Sequence, residues 1–142
     1  MSQPDLIRVR DVMKVRFDTV DGLATVADAL RSMEHLENKA LVVRRRNDDD
    51  ELGIVELEDI ATEVLAKNRS AERVNIYEIM EKPLIGIDPE MDIRYCARLF
   101  ERHHLNRAAV VENRQVIGII DYADIVIKGM GKLLKANDED AQ

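Results

Sequence analysis

The sequence predicts an α+β protein made of two copies of one unit, each reading extended segment, helix, strand, strand, helix. Three observations predict it. Phrases recur at nearly constant spacing: "IRVRDVM" (7–13) and "VNIYEIM" (74–80) stand 67 residues apart, "NKALVV" and "NRAAVV" 68, and "GIVELEDI" and "GIIDYADI" 65. Helical periodicity alternates in both copies with short runs of strand length and β-branched content. A single polar joint, "AKNRSAER" (66–73), separates the copies. Self-similarity of this kind marks a tandem structural repeat.

Taken in order, the opening segments match apolar for apolar: Ile7 with Val74, Val9 with Ile76, Val12 with Ile79, and Met13 with Met80, the methionines reading as core filler. Turn signals follow at Asp21-Gly22 and Asp88-Pro89. Val26, Ala29, Leu30 and Met33 then stand at i, i+3, i+4, i+7, as do Ile93, Cys96, Ala97 and Phe100 in the second copy, so each set predicts one buried helix face. Thr25 with Asp28 predicts a capping box, and Asp92 an N-cap.

Strands are expected at "NKALVV" (38–43) and "NRAAVV" (106–111), then at "LGIV" (52–55) and "VIGII" (116–120). The drift in spacing from 68 to 65 makes the first hairpin three residues longer. That excess is the run Arg44-Arg45-Arg46 followed by Asp48-Asp49-Asp50-Glu51, predicted to be a solvated tip where an insertion costs little. Gly53 and Gly118 mark close backbone approach. A last helix closes each copy, through Leu57, Ile60, Ala61, Val64 and Leu65 in one and Tyr122, Ile125, Val126, Gly129 and Met130 in the other. The repeats are thus bounded at 7–66 and 74–131. Neither half buries two helices and a sheet well by itself, so the copies are expected to complete each other's core about a pseudo-twofold axis.

Composition excludes several functions. Twenty-one Lys and Arg against 28 Asp and Glu give a net charge of −7, with five aromatics and no Trp, a poor balance for holding nucleic acid. No apolar run approaches the roughly 18 residues of a membrane span, and the N-terminus lacks a signal-peptide segment, so a cytoplasmic protein without membrane insertion is expected. The single Cys96 has no internal disulfide partner. No nucleophile elbow, Walker or dinucleotide fingerprint and no zinc-spaced Cys/His set appears, so no catalytic residue, no metal ligand and no required cofactor is expected.

The phrases "RDVM", "TVADAL", "NKALVV" and "GIVELEDI", repeated as "YEIM", "DIRYCARLF", "NRAAVV" and "GIIDYADI", resemble a tandem pair of CBS (cystathionine beta-synthase) domains, a Bateman module, from about Ile7 to Gly131. The resemblance implies a β-α-β-β-α fold per repeat. It also implies inter-sheet clefts that take AMP, ADP, ATP or S-adenosylmethionine, a homodimer formed through helices, and regulation of a partner enzyme or transporter.

The family motif is glycine, two apolar residues, Thr or Ser, two residues, Asp. Asp59 and Asp124 hold its Asp, which the resemblance assigns to ribose hydroxyls, a task suited to a carboxylate's acceptors. The hydroxyl place holds Glu56 and Asp121 instead, carboxylates at helix starts where a ligand phosphate would sit. Two unit charges about 4 Å apart at an effective dielectric near 20 repel by roughly 4 kcal/mol. Uncharged or cationic ligands, or magnesium-bound nucleotides, are therefore expected over bare phosphates. Lys39 and Arg107, with Ala40 and Ala108 beside them at the strand starts, are the expected cleft-rim contacts. The alternatives are that the acids serve only as N-cap and first-turn charges, and that the chain is a ligand-free dimeric scaffold with degenerate clefts.

Overall fold

The computed structural model describes residues 6–140. Its elements run α1 (Val9–Val12), β1 (Thr19–Val20), α2 (Val26–Ser32), β2 (Ala40–Val43), β3 (Gly53–Glu56) and α3 (Leu57–Ile60), which a π-helical turn, Ala61–Leu65, extends. The second series is β4 (Gly86–Ile87), α4 (Ile93–His103), β5 (Arg107–Glu112), β6 (Gln115–Asp121), a π-helical segment Asp124–Met130, and α5 (Gly131–Asp140). Two three-stranded mixed sheets result, β1-β2-β3 and β4-β5-β6. In each, a two-residue first strand runs parallel to the middle strand, which pairs antiparallel with the third. Ala40 lies opposite Glu56 and Val43 opposite Gly53; Arg107 lies opposite Asp121 and Val110 opposite Gly118.

The chain divides into two compact units whose boundaries cut across the repeats: one is Arg16–Leu84, the other joins the residues up to Val15 to those from Ile85 onward. Each unit is completed by the opening segment of the other repeat. In the second, Lys14 and Ile119 exchange backbone hydrogen bonds of 2.9 Å in both directions, and Ile93 N–H donates to the Ile7 carbonyl at 3.0 Å. In the first, Ile54 and Glu81 exchange bonds of 3.0 and 2.9 Å, and Val26 N–H donates to the Val74 carbonyl at 2.8 Å.

The glycines explain why the openers come so near. A Cβ at Gly118 would stand 2.7 Å from the Lys14 carbonyl oxygen and 2.8 Å from Met13 Sδ; one at Gly53 would stand 3.2 Å from the Glu81 carbonyl oxygen and 3.1 Å from Met80 Sδ. The close approach is thus to the incoming opener.

The openers bring apolar side chains with them. Val9 and Val12 join Ile87, Ile93, Cys96, Phe100 and Ile120 in one core; Val74, Ile76 and Ile79 join Val26, Leu41 and Val55 in the other. Burying a Val or Ile side chain stabilises by about 1.5–3 kcal/mol, so these five residues are a large part of what holds each unit together. Asp92 caps its helix as predicted, its Oδ1 accepting from Arg94 N–H at 2.9 Å; of the capping box predicted at Thr25, the half in which Thr25 Oγ1 accepts from Asp28 N–H forms, at 3.0 Å. Burial pushes the Cys96 thiol up to about 11.

Some expectations are corrected. The openers are not extended: one is the short helix α1, the other a 3₁₀ turn, Ile76–Glu78. Leu30 is 41% exposed, because α2 has only two turns and its buried face stops at Ala29. The closing helices bury Val64, Ile125 and Gly129 but leave Leu65, Val126 and Met130 in solvent. At the hairpin tip Asn47, Asp48 and Asp49 are exposed as expected, whereas Asp50 folds back against Lys82 Nζ at 2.5 Å and Arg46 Nε at 3.6 Å.

Gly118→Ala is expected to destabilise by about 1–3 kcal/mol through forced displacement of the Lys14 backbone, and Gly53→Ala by less, since its contacts are longer. Urea denaturation of the two variants checks the order.

Candidate functional site

Both acid pairs sit at a corner where a strand ends and a helix begins. At the first, Ala40 faces Glu56 across the β2–β3 ladder, and the Lys39 carbonyl accepts the Leu57 N–H at 3.0 Å, which ties the β2 start to the start of α3. Lys39 has a left-handed backbone, φ 57°, and an exposed side chain. Asp59, in the first turn of α3, accepts the Glu56 N–H at 2.9 Å through Oδ2. Asp59 and Glu56 are half-buried, in reach of solvent.

Asn38 lies next to this corner and escaped the sequence reading. It is 1% exposed, donates from Nδ2 to the Arg16 carbonyl at 2.7 Å, and leaves Oδ1 without a hydrogen-bond partner among the described residues. An unmet buried acceptor costs about 1–3 kcal/mol.

The second corner is the same strand-to-helix junction, without a left-handed residue at Arg107, and its chemistry differs. Arg107, 9% exposed, faces Asp121 across the β5–β6 ladder, with Ala108 next along β5. Asp121 Oδ1 accepts the Asp124 N–H at 2.9 Å and Asp124 Oδ2 the Asp121 N–H at 3.0 Å, a reciprocal cap of the kind that stabilises helix starts. Asp124 is 2% exposed, and its carboxylate is clasped by two lysines: Lys14 Nζ at 2.5 Å from Oδ2 and Lys128 Nζ at 2.9 Å from Oδ1. Lys14 Nζ also stands 3.2 Å from Asp121, and Lys128 Nζ donates to the Val12 carbonyl at 3.2 Å. Burial alone would raise the Asp121 carboxyl, but the Asp124 N–H and Lys14 outweigh it and hold the group below its ordinary value.

The corners therefore differ in charge. Lys14 aligns with Glu81 and Lys128 with Glu63, so the cations that neutralise the second pair are acids in the first. Sequence reading missed both lysines. Lys128 was detectable at i+4 from Asp124, the spacing of a helical ion pair. Lys14 was not, because its contact with Asp124 spans 110 residues. Among the described residues no group of three or more His, Cys, Asp or Glu side chains is placed to hold a metal ion.

The repeated strand–strand–helix corner agrees with the CBS domain family, which matches residues 9–66 and again 76–130. The chain belongs to the CBS domain family. The CBS pair is 24% identical over 122 residues to the CBS domain-containing protein YhcV of Bacillus subtilis (strain 168), which spans 86% of this chain and 85% of that one. It is similar to a hexameric CBS-CP12 protein from bloom-forming cyanobacteria, with 32% identity, a TM-score of 0.82, and coverage of 96% of this chain and 84% of that one. The fold is also that of the CBS domain pair of protein MJ0100, solved with 5-methylthioadenosine and S-adenosyl-L-methionine, at 22% identity, TM-score 0.70, and 86% and 98% coverage.

Removing the Lys14 ammonium leaves Asp124 buried with half of its cationic support. Lys14→Met is expected to destabilise by about 1–3 kcal/mol, and Lys14→Met with Asp124→Asn to recover part of the loss. Thermal and urea unfolding of the cycle test this.

Proposed function

We propose that this CBS pair is a regulatory, non-catalytic module that binds an adenosine-type ligand at the Glu56–Asp59 corner and signals to a partner enzyme or transporter. The observation that carries this reading is the difference between the two motif aspartates. Asp59 is half-buried and its recorded partner among the described residues is the Glu56 N–H, which leaves acceptor capacity for a diol. Asp124 is buried and held by two lysines.

Glu56 sets the ligand class. Its charge repels a bare phosphate, so adenosine, 5-methylthioadenosine and S-adenosylmethionine rank above AMP, with magnesium-bound ATP or ADP between them. In this scheme Lys39 and Ala40 contact the ligand, while Asp121, Arg107 and Ala108 shape a second corner that is either closed or opens only when Lys14 withdraws. The two ligands named for the MJ0100 complex, one uncharged and one a sulfonium cation, fit this ranking.

The module also associates with itself. Val126, Ile127, Met130 and Leu134 are 47%, 74%, 49% and 58% exposed along one closing helix, an apolar strip that a second copy would cover. The hexameric state of the cyanobacterial relative supports self-association.

Calorimetry against that ligand panel tests the reading: binding that Asp59→Ala abolishes and Asp124→Asn spares is expected. Glu56→Thr should tighten AMP binding by about tenfold or more. Silence across the panel at millimolar ligand would overturn the reading in favour of a ligand-free scaffold. Separately, Ile127→Glu with Met130→Glu should lower the mass seen by light scattering; an unchanged mass rejects this face as the interface.

A further inference from the structure

The hairpin tip and the second repeat's opener enclose a cavity of about 300 Å³ that the adenosine-type reading does not use. It lies at the other end of β2 from the acid corner: Ala40 marks the Glu56 end and Val43 the Gly53 end. Three residues of strand separate them, roughly 10 Å. Among the described residues the cavity draws on the unit Arg16–Leu84.

Its lining has two parts. Leu23, Val43 and Met80, with the ring of Tyr77, form an apolar wall. Tyr77 is 52% exposed, yet its backbone is fixed, since its N–H donates to the Gly22 carbonyl at 2.9 Å. Gly22 adds no side chain to the space. The lining also includes three cations, Arg44, Arg46 and Lys82, against one carboxylate, Asp50.

The ion pairs show what these cations accept. Asp50 sits between Lys82 and Arg46 and also takes the Arg46 N–H at 3.0 Å, a carboxylate held by converging donors. These bonds keep its carboxyl well below the usual range, with Lys82 the leading cause. Arg44 is placed differently. Its Nη1 donates at 3.0 Å to the neutral hydroxyl of Thr19, and no carboxylate among the described residues pairs with this exposed guanidinium. An arginine fork matches the paired oxygens of a carboxylate or phosphate.

We propose that this cavity is a second, separate binding site for a small organic oxyanion, a carboxylate or phosphate ester with a flat apolar body. The oxyanion pairs with Arg44 beside the Asp50 bridge, and the body lies against Tyr77 and Leu23. The volume suits a single ring with its charged group, at the small end of ligand pockets. Lys82 belongs to the segment that pairs with β3 through Glu81, so an occupant would bear directly on the joint between opener and sheet.

The test is a titration of the ¹⁵N-labelled full chain with phenyl phosphate, benzoate, inorganic phosphate and phenol. Saturable shifts at Gly22, Leu23, Arg44 and Tyr77 with phenyl phosphate or benzoate are expected, the tighter of the two identifying the oxyanion. Phenol and inorganic phosphate should each bind at least about tenfold more weakly, as should the best probe to Arg44→Gln. Tyr77→Ser, at a half-exposed position, should weaken the ring-bearing probes and leave inorganic phosphate unchanged. The proposal is overturned if those amides do not shift, if Arg44→Gln binds as tightly, if phenol binds as well as its phosphate, or if shifts fall only around Lys39, Ala40 and Asp59.

Discussion

Two backbone pairings organise the molecule, Lys14 with Ile119 and Ile54 with Glu81. Each lays the opening segment of one repeat along the third strand of the other, and each depends on a glycine one residue before the strand partner. With a side chain at Gly118 the Lys14 carbonyl would be displaced, and with it Val12 and Val9, which lie in the apolar core. The sheets are short and their first strands have two residues, so they close little core without the openers. The glycine of the motif therefore serves the fold first.

The same pairing decides the electrostatics of the corners. The residue that pairs with β6 is Lys14, and its side chain reaches the Asp121–Asp124 pair; the residue that pairs with β3 is Glu81, which brings another negative charge to its unit. Charge differences at two pairs of equivalent positions, Lys14 with Glu81 and Lys128 with Glu63, go with one motif aspartate that is buried and paired and another that has no lysine clasp among the described residues. Burying a carboxylate costs stability unless it is paired and hydrogen-bonded, and Asp124 has both forms of support.

Much of the architecture was legible in the chain because it is local. Thr25 and Asp92 cap their helices, the Val26 and Ile93 stripes bury their leading residues, and the strands fall within a residue or two of their apolar runs. Local pattern misled where burial depends on a neighbour. Leu30, Leu65 and Met130 have core spacing but face solvent, and Asp50, which reads as part of a solvated acidic run, is drawn into a bridge with Lys82, 32 residues away.

By itself the sequence determined the repeat, the order helix, strand, strand, helix within each copy, the N-caps Thr25 and Asp92 and the positions of both acid pairs, because these follow from side-chain period and from residues a few places apart. Tertiary structure alone decided which repeat each opener completes, that Lys14 and Lys128 close on Asp124 while Asp59 has no such clasp among the described residues, and that Arg44 and Arg46 after β2 line a cavity with Tyr77. Those outcomes turn on contacts between residues up to 116 positions apart, and no local spacing encodes which charge arrives at a given corner.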